Sequence, residues 1–180
     1  MSTTTHLITA DELMRLPRNG NRYELLKGEL LTMTPTGYEH SEIAANLITL
    51  LNNHVRKHDL GRIAGTDGGF ILESDPDTVL APDISFIKAG RLINRPRNYA
   101  RIVPDLVVEI ISPGDRKRKV IEKAKQWLSF GVRSVWLVKP QDRTVEVFSP
   151  DGTTRILDET EILFDDVVPG LEIPVRVIFE

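Results

Sequence analysis

Two acidic residues stand inside short apolar runs, and this arrangement constrains the chain more than any other feature of its sequence. Asp83 follows Pro82 and precedes the run 84–87, while Glu109 interrupts the run 106–111. Runs this short and this rich in Val, Ile and Phe are typical of buried β-strands. A carboxylate in such a strand is costly unless a positive charge or a metal ion pairs with it. A single acid is usually satisfied by an arginine or by backbone amides, whereas two acids followed by a lysine-rich helix indicate a metal site.

The composition is that of an ordinary globular protein, with 41% hydrophobic and 27% charged residues. A length of 180 residues predicts one domain, over residues 1–180, with a single sizeable core. No apolar stretch approaches the ~20 residues that span a bilayer, and residues 1–5 lack the features of a signal peptide. The chain has no cysteine, which excludes a disulfide framework, a zinc–thiolate site and a thiol nucleophile. We therefore expect a cytoplasmic protein with no membrane partner.

The periodicity of apolar residues predicts alternating helices and strands. The Ser41–Lys57 segment carries a helical apolar stripe, and Gly131 is expected to end a second long helix. This order of elements predicts one α/β domain with a mixed sheet flanked by helices. The expected helices span 9–16, 41–57 and 115–130, and the expected strands span 22–26, 29–33, 69–72, 79–81, 83–87, 106–111, 134–138, 144–148, 154–157 and 175–178.

The charge is unevenly distributed along the chain. The net charge is −3, but the segment from Lys88 to Lys125 holds eleven Lys or Arg residues against four acids, so it carries +7 and the remainder −10. A basic segment within an acidic chain is typical of a local anion-binding face, although a solvated helix and loop explain the charges equally well. Interleaved Arg and Asn side chains in the 91–104 loop suit contact with phosphates, with a flexible solvent loop as the alternative.

The two acids have the chemistry of a Mg²⁺ site, or of a Mn²⁺ site. Mg²⁺ keeps several waters, so Asp83, Glu109 and the backbone carbonyl of Ile110 would suffice as protein ligands. A metal can supply both charge neutralisation and a nucleophilic water in phosphodiester hydrolysis, and a neighbouring lysine can steer or deprotonate that water. Lys123 and Lys125 flank the buried stripe of the second long helix on opposite sides, each roughly 100° from its centre. Helical geometry therefore leaves both lysines as candidates.

Several stretches of the chain resemble a known family when they are taken as an ordered set. The chain is similar to the PD-(D/E)XK nuclease superfamily and, within it, more closely resembles the bacterial Uma-type restriction endonucleases. The resemblance implies a restriction-endonuclease-like mixed sheet flanked by helices. The matching stretches are 23–30, 35–40, 81–86, 104–113, 123–127, 131–132 and 135–138.

The same resemblance implies roles for individual side chains. The common arrangement places a lysine two residues after the second acid, where this chain has Ile111, so the resemblance implies a lysine that has moved to the next helix. The family pattern has a lysine four residues before an aromatic residue, and this selects Lys123, which precedes Trp127. Trp127 itself is expected in the core. The further candidate catalytic residues that the resemblance implies are Glu24, Glu29 and His40.

These observations predict a divalent-metal-dependent nuclease that hydrolyses DNA phosphodiester bonds. Cutting both strands of a duplex would favour a two-fold homodimer. One alternative is a nucleic-acid-binding module without catalysis. The other is a regulatory interaction protein whose acids serve only a buried ion-pair network with Lys123.

Overall fold

A six-stranded mixed sheet with a long helix on each face forms the centre of the protein. The structure is a computed structural model that describes residues 6–17, 20–66 and 68–180. The helices are α1 (Ala10–Arg15), α2 (Tyr38–Lys57), α3 (Lys117–Ser129) and α4 (Val175–Ile178). The strands are β1 (Arg22–Leu26), β2 (Glu29–Met33), β3 (Gly61–Ala64), β4 (Phe70–Glu73), β5 (Thr78–Leu80), β6 (Ile84–Lys88), β7 (Leu106–Ile110), β8 (Ser134–Lys139), β9 (Thr144–Phe148), β10 (Thr154–Leu157), β11 (Ile162–Leu163) and β12 (Ile173–Pro174).

The strands form two principal sheets. The large sheet has the order β10-β9-β8-β7-β6-β3, and a second sheet has the order β2-β1-β5-β4. Within the large sheet β7 and β8 are parallel and α3 connects them, while the other neighbouring strands pair antiparallel. Strands β11 and β12 form a small separate pair. The predicted α/β class and the mixed sheet are therefore confirmed.

The two-residue period of β7 determines which helix each of its side chains meets. Leu106, Val108 and Ile110 pack in the core cluster that includes the apolar stripe of α2. Val107 packs on the opposite face of the sheet, with the buried residues of α3. Because successive side chains of a strand point to opposite faces, Glu109 shares the α3 face with Val107.

The first acid lies at the start of the neighbouring strand. Asp83 immediately precedes β6, so it stands at the entrance of the strand rather than within it. Ile84 and Phe86 belong to the α2-side cluster, whereas Ile87 belongs to the α3-side cluster. Because Asp83 lies before the strand, its side chain does not follow this alternation: it contacts His40 of α2 and the backbone N–H of Ile110 on β7.

Some sequence predictions for the elements were wrong. The segment 175–178 forms the short helix α4 instead of a strand, because its buried residues Val175 and Ile178 are three apart, as on one helix face. The predicted hairpin β1–β2 is present and belongs to the second sheet, where β1 pairs with β5. Strand β3 was not predicted, although it lines the edge of the large sheet beside β6. Within the described residues, no helix combines the length and the apolar character that crossing a bilayer requires.

A buried carboxylate ties the large sheet to the C-terminal segment. Asp165 accepts hydrogen bonds from the indole Nε1 of Trp136 at 2.7 Å and from the backbone N–H of Val167 at 2.9 Å. The hydroxyl of Ser134 also donates to it. All of these donors lie in buried positions, so the carboxylate satisfies groups that water cannot reach.

Replacing Asp165 by Ala should lower the free energy of unfolding by about 3 kcal/mol, because buried donors of Trp136 and Ser134 would lose their acceptor. Chemical denaturation monitored by tryptophan fluorescence measures the change. Asp166→Ala is the matched control, since the neighbouring Asp166 is exposed, and it should change stability by less than about 0.5 kcal/mol. Equal effects of the two substitutions would contradict the role given to Asp165.

Candidate active site

Three acids that are far apart in the sequence come together beside α3. Glu24 arrives on β1 of the second sheet, Asp83 at the entrance of β6 and Glu109 near the end of β7, and all three side chains are buried. Lys123 of α3 and His40 of α2 complete the group. We call these five residues the carboxylate cluster. It unites five of the six side chains proposed as catalytic from the sequence.

Asp83 is held by contacts from three directions. Its Oδ2 atom lies 3.1 Å from Nε2 of His40 and accepts the backbone N–H of Ile110 at 2.8 Å. Its Oδ1 atom lies 3.4 Å from a guanidinium nitrogen of Arg22. Burial alone would raise the pKa of Asp83, but the contacts with His40, Ile110 and Arg22 outweigh it and hold the pKa below its usual range. Asp83 is therefore ionised at neutral pH.

Glu24 joins the second sheet to the cluster. Its Oε1 atom accepts the backbone N–H of Ala81 at 2.9 Å and lies 3.4 Å from Nζ of Lys123. Glu29, the other acid of this hairpin, is exposed on β2 opposite Leu26. Among the described residues, Glu29 forms no ion pair or hydrogen bond with the cluster.

Helix α3 presents two side chains to Glu109. Nζ of Lys123 lies 3.0 Å from Oε1 of Glu109, and the indole Nε1 of Trp127 donates to the same oxygen at 2.8 Å. Lys123 and Trp127 are four residues apart, so they stand one above the other on one face of the helix. Lys125 is exposed on another face. Of the two lysines left open by helical geometry, Lys123 is the one that reaches the acids.

Two contacts of this site were missed from the sequence. Trp127 was expected only to fill the core, and it is fully buried, but its indole N–H also binds Glu109. The second contact is that of Arg22 with Asp83. Arg22 stands two residues before Glu24 on β1, so the strand period places both side chains on one face, and this signal was available in the sequence.

The acids outnumber the positive charges that face them. Burial, together with the neighbouring charges of Asp83 and Glu24, raises the pKa of Glu109 to about 7 against the opposing effects of Lys123 and Trp127. Burial would lower the pKa of Lys123, but Glu109 and Glu24 outweigh it and raise that pKa above its ordinary value. Lys123 is therefore a charged ammonium. Lys123 and Arg22 together carry two positive charges against three carboxylates.

This donor set suits a hard divalent cation. Buried carboxylate oxygens are the ligands that Mg²⁺ prefers, and an additional positive charge would relieve the repulsion that raises the pKa of Glu109. Within the described residues, no three His, Asp or Glu side chains form a ready metal cage. Mg²⁺ needs only one or two protein carboxylates, because it retains waters as its other ligands. The carbonyl of Ile110 remains a predicted third ligand.

The four loop arginines expected to contact phosphates separate into two groups. Arg91 forms a 2.7 Å ion pair with Asp105, and Arg101 donates to Ser74 Oγ at 3.3 Å. Arg95 and Arg97 instead line a cavity of about 720 Å³. The cavity borders the cluster at Arg22 and Ala81, and the side chain of Arg22 reaches both Asp83 and the carbonyl of Ala81.

The architecture is shared with a known protein. The crystal structure of "a putative nuclease belonging to DUF820" from Anabaena variabilis superposes on the chain with a TM-score of 0.80. The two sequences are 24% identical, and the match covers 96% of this chain and 97% of the other. The chain thus has the predicted restriction-endonuclease-like fold.

The family follows from the sequence as a whole. The family model described as "Uma2: Putative restriction endonuclease" matches residues 10–176, which is nearly the whole chain. The protein belongs to this Uma2 family, and the resemblance noted from its motifs is confirmed. Restriction-endonuclease-like proteins usually use a divalent metal ion. No curated protein matches the chain.

The raised pKa of Glu109 predicts a pH dependence of stability in metal-free buffer. The folded protein keeps this proton up to about pH 7, whereas the unfolded chain loses it near the ordinary value of 4.5. The stabilisation is therefore complete below the unfolded-state pKa of 4.5. It is lost as the pH rises through the folded-state pKa of about 7. The loss should reach about 3 kcal/mol.

The measurement compares melting temperatures of the wild type and Glu109→Gln over this pH range. The melting temperature of the wild type should fall relative to that of Glu109→Gln as the pH rises. The difference between the two should become constant above about pH 7. Glu122→Gln, at an exposed position of α3, is the control and should follow the wild type throughout. A difference in melting temperature between wild type and Glu109→Gln that does not change with pH would contradict the raised pKa of Glu109.

Proposed function

We propose that the protein is a divalent-metal-dependent nuclease that hydrolyses DNA phosphodiester bonds. The observation that carries the proposal is the convergence of Glu24, Asp83 and Glu109 on one site, where three carboxylates face the two positive charges of Lys123 and Arg22. A buried carboxylate is costly unless a positive charge or a metal ion pairs with it, and a divalent cation would pair with these acids. Membership of the Uma2 family supports the same conclusion. We also propose a cytoplasmic location, and a two-fold homodimer in the case that the protein cuts both strands of a duplex.

Asp83, Glu109 and the carbonyl of Ile110 would hold Mg²⁺ or Mn²⁺. The ion would neutralise the charge that develops on the phosphate during attack by water. Glu24, which is in contact with Lys123, is the additional acid that the contacts support, ahead of the exposed Glu29. His40 orients Asp83 through its Nε2 contact of 3.1 Å.

Lys123 acts as a hydrogen-bond donor in this proposal. Its raised pKa keeps Nζ protonated, so it cannot remove a proton from water. A charged ammonium can instead position the attacking water or neutralise an oxygen of the phosphate. Of the two roles expected from the sequence, this favours positioning over activation.

One alternative has a specific observation in its favour. Lys123 bridges Glu24 and Glu109 with contacts of 3.4 and 3.0 Å, as a closed ion-pair network would. In a regulatory interaction protein, these residues would form only the ion pairs and would bind no metal ion. The response to metal separates the two functions, because a ligand bound only by the folded state must raise the melting temperature.

Addition of Mg²⁺ or Mn²⁺ should therefore raise the melting temperature, by an amount corresponding to about 2.7 kcal/mol at a concentration one hundred times the Kd. Differential scanning calorimetry measures the rise. Asp83→Ala and Glu109→Ala should abolish it, whereas Asp142→Ala, at an exposed position, should retain it. A wild-type melting temperature that changes with neither ion would favour the closed ion-pair network.

Substitution of the two lysines tests the catalytic assignment. Lys123→Ala should lower the rate of DNA cleavage about 100-fold or more, because a preorganised donor is lost, while the metal-induced rise in melting temperature persists. Lys125→Ala removes an equal charge from an exposed position of the same helix and should leave the rate within about twofold. A larger loss at Lys125 than at Lys123 would show that the lysine is misassigned.

A further inference from the structure

The cavity of about 720 Å³ beside the carboxylate cluster has an unusual lining. Five arginines contribute to it, and no acid does so among its described lining residues. Arg22 comes from β1, Arg56 from the end of α2, Arg62 from β3, and Arg95 and Arg97 from the loop after β6. Segments distant in the sequence thus converge on one concave, strongly positive site.

Most of this positive charge has no counter-charge within the protein. Arg56, Arg62, Arg95 and Arg97 are exposed and form no ion pair with any carboxylate of the described residues. By contrast, Arg91 in the same loop is paired with Asp105. Four unpaired guanidinium groups around one concavity attract an anion that carries several charges.

The basic lining continues past this cavity. A second cavity of about 270 Å³ shares Arg56 and Arg62 with the first and adds Lys88, with Asp59 as its acid. A row of cations along two adjoining cavities suits a ligand with repeated charges, such as a polynucleotide backbone, better than a single phosphate.

The first cavity also offers aromatic and apolar surface. Tyr23, Tyr99 and Phe70 line it together with aliphatic side chains. The ring of Tyr99 packs closely over Gly69, where an added Cβ would lie 2.4 Å from a ring atom, so the ring is held in place. Immobilised aromatic rings combined with arginines are the features on which unpaired bases stack.

A duplex cannot use such a cavity while its bases remain paired. A base inside the duplex stack must leave the stack before it can enter a protein concavity. A volume of about 720 Å³ lies within the ~300–1,000 Å³ typical of pockets that enclose a small ligand, so there is room for unpaired nucleotides. Because Arg22 contacts Asp83 and also lines the cavity, a strand bound there would lead directly to the acids.

We propose that this arginine-lined cavity binds unpaired nucleotides, so that the substrate is single-stranded DNA or DNA with a single-stranded end or branch. The proposal rests on the proposed nuclease function for its biological meaning, but the binding that it predicts does not require catalysis. Phosphates lie against the arginines, and at least one base stacks on Tyr99 or Tyr23.

Binding is measured by fluorescence anisotropy in EDTA, so that no turnover occurs, with three labelled DNA probes of equal charge: a single strand, a duplex with a single-stranded overhang and a blunt duplex. The first two should bind at least about tenfold more tightly than the third, the factor expected from one stacked base. The double substitution Arg95→Gln and Arg97→Gln should reduce this preference at least about threefold. Arg143→Gln removes an arginine outside the cavity and should leave it unchanged.

The aromatic contact has its own pair of variants. Tyr99→Leu should remove most of the preference for unpaired DNA, and Tyr99→Phe should retain it, because stacking requires the ring and not the hydroxyl. Circular dichroism of both variants establishes that they fold. If Tyr99→Leu fails to fold, Tyr23→Leu replaces it, since Tyr23 also lines the cavity.

The outcomes separate this inference from the nuclease proposal. Equal affinity for the blunt duplex and the unpaired probes, or a uniform loss for all probes in the arginine variant, overturns the inference. Cleavage of the blunt duplex in Mg²⁺ would then leave the nuclease proposal standing. Preferential binding of unpaired DNA without cleavage in either Mg²⁺ or Mn²⁺ supports the inference and overturns the nuclease. No binding of any probe overturns the inference.

Discussion

The contact of α3 with Glu109 is the interaction on which the arrangement of the acids depends. An ionised carboxylate that is removed from water without a partner would be prohibitively unfavourable. Lys123 supplies an opposite charge at 3.0 Å, and the indole of Trp127 supplies a hydrogen bond at 2.8 Å. With these two side chains in place, Asp83 and Glu24 can approach the same site, although their charges still repel Glu109. The helix therefore both fills the core and makes the clustering of acids tolerable.

The positive and the negative parts of the site are joined through one residue. Arg22 contacts Asp83 on one side and lines the arginine-rich cavity on the other. In the proposed complex, an anionic strand in the cavity would be attracted by the arginines and repelled by the acids. A divalent cation at Asp83 and Glu109 would convert the repelling end into an attractive one. With the cation bound, both the arginine-lined cavity and the carboxylate cluster would attract a negatively charged strand.

Local periodicity predicted the parts of the fold and the site that depend on one element. The hairpin β1–β2, the apolar stripe of α2 and the placement of Asp83 and Glu109 near buried strands all follow from the spacing of apolar residues. The family pattern, and not helical geometry, selected Lys123 over Lys125. What could not be predicted depends on packing between distant segments. The second sheet and the cavity that unites Arg56 with Arg95 result from such packing, and no spacing in the sequence records them.

The division of the cluster between two sheets has a consequence for synthesis of the protein. Glu24 leaves the ribosome about one hundred residues before Lys123 and Trp127, and its β1 strand belongs to a different sheet from Glu109. The early part of the chain can form its local elements, but it lacks Glu109 and Lys123 of the carboxylate cluster. Assembly of the carboxylate cluster must therefore wait until both sheets and α3 have docked, late in the formation of the tertiary structure.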